Sequence, residues 1–214
     1  MIKSNRLDFI ASLIDKNSNT LLDIGTDHGY LIKKAFDSNK IKSGIAADVN
    51  ELPLKSARRN LKDYNVKYVL SNGFKEIKDK FDVVVIAGMG GNLISKILSD
   101  APKYKNIKYI LQPNNKEENL RYFLMKNNFL ITNEHVLLDK TFYVILEVKK
   151  GEMVLNKEEL FLGPILKNKE SSNIYYKHLY NWYKEIVAKH NLKSGNLVEK
   201  LKILNKQIEL KGKD

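Results

Sequence analysis

The 214-residue sequence has no cysteine. That absence removes disulfides, thiolate zinc sites and cysteine nucleophiles together. Its four histidines, at 28, 135, 178 and 190, show no ligand spacing, so metal-dependent chemistry is not expected. No apolar run approaches the ~20 residues needed to cross a bilayer. The opening Met-Ile-Lys-Ser-Asn-Arg leads into an amphipathic stretch rather than a signal peptide. A cytoplasmic protein with no membrane partner is therefore expected. There is no internal repeat. Acid is scarce relative to base, 25 residues against 37, leaving +12. Arginine is scarcer still, at four of those 37. Lysine richness can follow genome composition, but that bias does not require base to outnumber acid so widely. The excess favours a polyanionic partner through phosphate neutralisation and counterion release.

What is present organises readily. At 43% hydrophobic residues the chain is able to bury a full domain core plus a small appendage. Leu7, Ile10, Ala11 and Ile14 repeat at helical spacing, and short β-rich runs then alternate with helical segments to about residue 150. Seven strands are expected: 20–25, 44–49, 66–70, 81–87, 107–112, 129–138 and 141–149. The first four read as interior parallel strands, apolar almost throughout, with Val83-Val84-Val85-Ile86-Ala87 the clearest. Only Asp139-Lys140 separates the last two, too short for a crossover, so these pair as an antiparallel hairpin. The fold class is α/β, doubly wound around a mainly parallel sheet. The composition then shifts: residues 157–214 carry twelve lysines and seven acids and hold no strand-like run. Tyr175, Leu179, Trp182 and Ile186 form one heptad-spaced seam, and Leu197, Leu201, Leu204 and Ile208 a second, joined by the turn-like Lys193-Ser194-Gly195-Asn196. A helical hairpin follows, its seams burying each other and its outer lysines free to meet phosphates. This sets an α/β domain at 1–156 and a helical extension at 157–214.

Ligands of doubly wound sheets bind at the carboxyl ends of the strands. The first such segment is Leu22-Asp23-Ile24-Gly25-Thr26-Asp27-His28-Gly29-Tyr30, a strand entering a glycine turn and then a helix. It is not the dinucleotide fingerprint, because Asp27 occupies the middle glycine position and would repel a pyrophosphate. A carboxylate there suits a ligand bearing an ammonium and a sulfonium, so the turn fits S-adenosylmethionine better than NAD. Asp27 as a helix N-cap is the plainer alternative. Asp48, closing the second strand, is suited to accept from both ribose hydroxyls of an adenosine, although aspartate also commonly ends strands. Ser71-Asn72-Gly73 offers an amide to an adenine edge or simply makes an Asn-Gly turn. Ala87-Gly88-Met89-Gly90-Gly91 holds three glycines in four residues, as a tight turn or a flat base against bare backbone requires. In Leu111-Gln112-Pro113-Asn114, two amides are suited to reading base edges without ionising.

The segments Asp-Ile-Gly-Thr-Asp-His-Gly-Tyr-Leu (23–31), Ala-Gly-Met-Gly-Gly (87–91), Leu-Gln-Pro-Asn (111–114) and Leu-Gly-Pro (162–164) resemble those of the bacterial tRNA N1-methyladenosine-22 methyltransferases, over nearly the whole chain. The resemblance implies a Rossmann-like class I methyltransferase domain with a seven-stranded sheet and a C-terminal coiled-coil hairpin. It implies that Gly25, Asp27 and Asp48 lie near the cofactor and that the 87–91 and 111–114 loops face cofactor and target adenine. The chain departs from the family where aspartate often stands in place of Asn72, and where a proline follows the Tyr-Leu pair in place of Ile32. The residues and the resemblance together give Asp23, Gly25, Asp27, His28, Asp48, Val49, Asn72, Gly73, Ala87, Gly88 and Met89 as cofactor-binding candidates. Tyr30, Gly90, Gly91, Gln112, Pro113 and Asn114 are the substrate-binding candidates. The expected activity is methyl transfer from S-adenosylmethionine to N1 of adenosine 22 in tRNA, by a monomer without a metal.

Methylation at N1 makes the adenine ring cationic, so a group accepting from the exocyclic amine stabilises the developing charge. Asp27 is the first candidate for that catalytic role and the Ala87–Gly90 carbonyls the second. Tyr30 offers a ring for base stacking or for core packing. Two other readings compete: a small-molecule methyltransferase, which has no need of a basic extension, and a non-catalytic RNA-binding protein, which has no need of a cofactor. A nicotinamide dehydrogenase is disfavoured by the missing pyrophosphate turn.

Overall fold

The computed structural model describes residues 2–3, 5–103 and 106–211, so the last three residues of the expected extension lie outside the described residues. The elements run β1 (Ile2–Lys3), α1 (Arg6–Ser12), β2 (Ser18–Ile24), α2 (Tyr30–Asp37), β3 (Ile41–Asp48), α3 (Glu51–Asn60), β4 (Val66–Leu70) and β5 (Val83–Met89). They continue with α4 (Gly91–Leu98), β6 (Lys108–Pro113), α5 (Glu117–Lys126), β7 (Phe129–Leu138), β8 (Phe142–Lys150), α6 (Lys157–Leu162), two short 3-10 turns, α7 (Asn173–Lys189) and α8 (Asn196–Leu210). All seven expected strands form, within a few residues of their expected ends. A two-residue strand, β1, adds an eighth beside β7, giving the order β1-β7-β8-β6-β5-β2-β3-β4. Among the described residues, only β8 runs antiparallel to its neighbours, β6 and β7; the remaining pairings are parallel.

Alternation along each strand sends side chains to two faces, and each face has its own cluster. Leu22, Ile24, Val84 and Ile86 join Ile94 and Ile97 of α4 and Leu120 and Leu124 of α5. On the opposite face, Leu21, Ala46, Val83 and Val85 join Ile10 of α1, Ile32 of α2 and Ala57 of α3. The strands between them, covered by helices on both sides, are the unbroken apolar runs seen in the sequence. One strand reads differently from expectation. Val66–Leu70 is an edge strand rather than an interior one, and none of its five residues is fully buried.

The shift in composition at residue 156 falls on a helix start. Asn156 accepts from the Glu159 amide while the Glu159 carboxylate accepts from the Asn156 amide, closing a capping box ahead of α6. The core, however, runs across this boundary. Leu162, Leu166, Tyr176 of α7 and Leu204 of α8 belong to the same cluster as the sheet. A buried ion pair fixes the junction. Arg121 Nε donates to Glu134 Oε1 at 2.8 Å, the guanidinium also donates to the Leu160 and Phe161 carbonyls, and Glu134 Oε2 accepts from the Ile165 and Leu166 amides. Helices α7 and α8 pack as the expected hairpin, but the seams are not fully mutual. The buried residue of α7 is Tyr176 rather than Tyr175, and Trp182 remains 50% exposed. The reason is that α7 packs on the sheet domain as well as on α8.

Candidate functional site

From β2 the chain winds one way through β3 to β4 and then crosses back to β5, so the topological switch point lies between β2 and β5. A crevice of about 390 Å³ opens at the carboxyl ends of these strands, between the 25–29 turn, the end of β3 and the 87–89 turn. That size is in the usual range for ligand clefts, roughly 300–1,000 Å³.

Three carboxylates line it: Asp23, Asp27 and Asp48. Asp23 is buried at the end of β2. Burial pushes its carboxyl up to about 7, the Thr26 side chain partly offsets this, and the charges of Asp48 and Asp27 add to the rise. Asp48 is buried at the end of β3, with Oδ1 accepting from the Asn50 amide at 2.9 Å. Asp27 stands at the rim, its side chain 72% exposed and 3.6 Å from His28 Nε2. It does not cap the helix, because the N-cap of α2 is Gly29, so the plainer explanation of this carboxylate falls away. His28 lies beside Tyr30, ring centroids 5.5 Å apart, and Tyr30 is exposed at the crevice rather than packed in the core.

The far wall is built around Gln112. Gly88 is the extra residue of a bulge between β5 and β6, with φ +78°, where a glycine is favoured. Its amide donates to Gln112 Oε1 at 3.1 Å, and the same oxygen accepts from the Arg6 guanidinium. Gln112 Nε2 donates to the Pro113 carbonyl and to Asn114 Oδ1, and Asn114 Nδ2 donates to the Gly88 carbonyl at 2.7 Å. The expectation that Gln112 and Asn114 offer free amides to a base is thus corrected. Gln112 is buried, and both amides are committed to shaping the 88 turn. Of the Ala87–Gly90 carbonyls proposed as a second charge-stabilising group, three already accept: Gly88 from Asn114 Nδ2, Met89 from the Asn114 amide, and Gly90 from the start of α4, while Ala87 lines the crevice. Gly91 serves packing, since a Cβ there would lie 2.5 Å from the Lys116 carbonyl oxygen.

Of the expected cofactor residues, Asp23, Gly25, Asp27, His28, Asp48, Ala87, Gly88 and Met89 come together around the crevice, with Tyr30. Val49, 64% exposed, and the Asn72-Gly73 turn at the end of β4 lie outside its lining. Gly90, Gly91, Gln112, Pro113 and Asn114 stand behind the 87–89 wall. Arg6 was not anticipated. It reaches the crevice from α1, with its guanidinium carbon 5.3 Å from the centroid of the Tyr143 ring. The scarcity of arginine was its one signal: in a lysine-rich chain, arginine marks a place where a planar fork is needed.

A doubly wound sheet of this strand order, whose switch-point crevice presents carboxylates where a pyrophosphate turn would present amides, defines an S-adenosylmethionine-dependent methyltransferase. The comparisons agree. The profile of the family described as tRNA (adenine(22)-N(1))-methyltransferase matches residues 21–213. The tRNA (adenine(22)-N(1))-methyltransferase of Bacillus subtilis is 30% identical over 229 aligned residues, covering 97% of this chain and 94% of that one. A Streptococcus pneumoniae protein solved with S-adenosyl-L-methionine superposes with a TM-score of 0.84 at 32% identity, covering 97% of this chain and 100% of that one. TrmK of M. capricolum, solved with S-adenosylhomocysteine, gives 0.78 at 29% identity, covering 99% of each. The chain belongs to the tRNA (adenine(22)-N(1))-methyltransferase family.

Proposed function

We propose that the crevice between β2 and β5 holds S-adenosylmethionine and that Asp27 assists transfer of its methyl group to N1 of adenosine 22 in tRNA. The observation that carries this reading is the donor set. Asp23 and Asp48 are buried carboxylates at adjacent strand ends, matched to a ligand bearing ammonium and sulfonium charges, and a third carboxylate, Asp27, is left exposed at the rim. When bound, the cofactor supplies an electrophilic methyl group on sulfur. Asp48 is placed for the ribose hydroxyls and Asp23 for the ammonium end. Because N1 of adenine already carries a lone pair, much of the acceleration comes from holding it in line and excluding water. Asp27, at the rim between crevice and solvent, is the first acceptor for the exocyclic amine as the ring becomes cationic. Tyr30 flanks the incoming base. The 157–214 extension holds the body of the tRNA while one base, unstacked where necessary, enters the crevice. The enzyme works as a monomer, since +12 opposes self-association. It works in the cytoplasm, where tRNA is its substrate.

The test is transfer of labelled methyl from S-adenosylmethionine to unmodified tRNA, followed by nucleoside analysis of the digest. N1-methyladenosine, lost when adenosine 22 is replaced, is expected. Label in another nucleoside, or none beside demonstrable cofactor binding, would overturn the assignment. Asp27→Ala should retain cofactor binding and lose roughly 10²–10³ in turnover, the usual worth of such a charge-stabilising group. Loss of binding as well would assign Asp27 to the cofactor instead.

A further inference from the structure

The exposed Trp182 borders a second groove, of about 420 Å³, between the 114–119 segment, the β7–β8 turn and the first half of α7. Its lining is aromatic, with Phe142, Tyr175, His178 and Trp182, and includes the exposed Asn115. Phe142 lies 4.9 Å from the His178 ring and 5.5 Å from Tyr175, centroid to centroid, while Trp182 rests edge-on against Tyr183 at 4.8 Å. Phe142 and Tyr175 are partly buried and His178 is exposed.

We infer that this groove binds an unpaired nucleotide of the RNA substrate other than the one being methylated, stacking its base on Trp182 and the neighbouring rings. This rests on tRNA being the substrate. Three observations favour that occupant. First, the groove adjoins the crevice wall: Asn114 lines it while its Nδ2 holds the Gly88 carbonyl of that wall. Second, its local charges cancel, with Glu118 paired to Lys200 and Glu117 balanced by Lys116. It therefore selects for a flat π face and hydrogen-bonding edges rather than for phosphate, while the +12 chain around it attracts the backbone. Third, the same +12 opposes a second copy of the chain as occupant. The seam position predicted for Trp182 is thus vacated in favour of a surface where a base stacks.

Trp182 is the sole tryptophan, so its fluorescence reports on this groove alone. Full-length protein titrated with unmodified tRNA should show quenching that saturates with binding. Trp182→Ala should raise the KM for tRNA by about ten- to a hundredfold, the usual worth of one stacked base, with kcat and cofactor affinity near wild type. Trp182→Phe should recover most of the loss. Fluorescence unmoved by saturating tRNA, or an unchanged KM in Trp182→Ala, overturns the inference while leaving methyl transfer by the wild type intact. A change in fluorescence with protein concentration alone, accompanied by dimer in sedimentation, overturns it in favour of a second copy. A wild type that neither binds nor methylates tRNA overturns the proposed function itself.

Discussion

Asp23 behaves as a group waiting for a counter-ion. Its carboxyl, buried and raised from 3.8 to about 7, is favoured in its neutral form in the free protein. Its effect on folding therefore runs opposite to that of a salt-bridged aspartate. The stabilising contribution is complete below 3.8 and is lost as pH rises through about 7. A cationic cofactor reverses the preference, because it favours the carboxylate. Binding should then release a proton below neutrality, and affinity for S-adenosylmethionine should climb up to about tenfold per pH unit before levelling above about 7. Calorimetric titration in buffers of different ionisation enthalpy measures both quantities. Asp23→Asn should flatten the profile, and a flat profile in the wild type would refute the coupling.

At the scale of elements, the junction of sheet and extension depends on Arg121 of α5 and Glu134 of β7. Both are almost completely buried, and between them they hold the Leu160, Phe161, Ile165 and Leu166 backbone. Glu134→Gln keeps the shape but leaves a buried guanidinium without its counter-ion and sets an amide against backbone donors. Urea unfolding should show a loss of about 3–5 kcal/mol, typical of breaking a buried pair from one side. A loss under about 1 kcal/mol would mean that water or a neighbour compensates. Nothing local in the sequence announces this device, since its members lie far apart along the chain. The strands, by contrast, were legible because interior parallel strands must be apolar on both faces. Val66–Leu70 misled because at five residues its composition does not tell an edge from a centre. The candidate site divides similarly. Asp23, Asp27 and Asp48 were readable from their places at strand ends, whereas the engagement of Gln112 depends on Arg6 and Gly88, residues 106 and 24 positions away.

For the whole molecule, the two ligands place opposite demands on charge. The crevice is lined by carboxylates, while the chain as a whole carries +12. Salt should therefore separate them. The KM for tRNA should rise steeply with ionic strength, with a log–log slope of about 0.7–0.9 for each phosphate contacted. Binding of S-adenosylmethionine, held by short-range contacts in a recess, should change far less. Parallel titrations over a salt series check this, and equal sensitivities would place the tRNA contacts outside the basic surface.

The position of β8 has a consequence for synthesis. This last strand of the sheet inserts between β6 and β7, and Leu162, Leu166, Tyr176 and Leu204 then cover the same apolar face. A chain emerging from the ribosome cannot complete its sheet until residue 150 is free, nor cover that face until α8 has followed. Until β8 inserts, β6 and β7 present unpaired edges, and until α8 follows, uncovered apolar side chains, the kind of surface that nascent-chain chaperones guard. The sheet and its cover are therefore finished in two steps, β8 first and α8 afterwards. A fragment ending before α8 therefore lacks Leu204 over that face and should aggregate rather than work as a smaller methyltransferase.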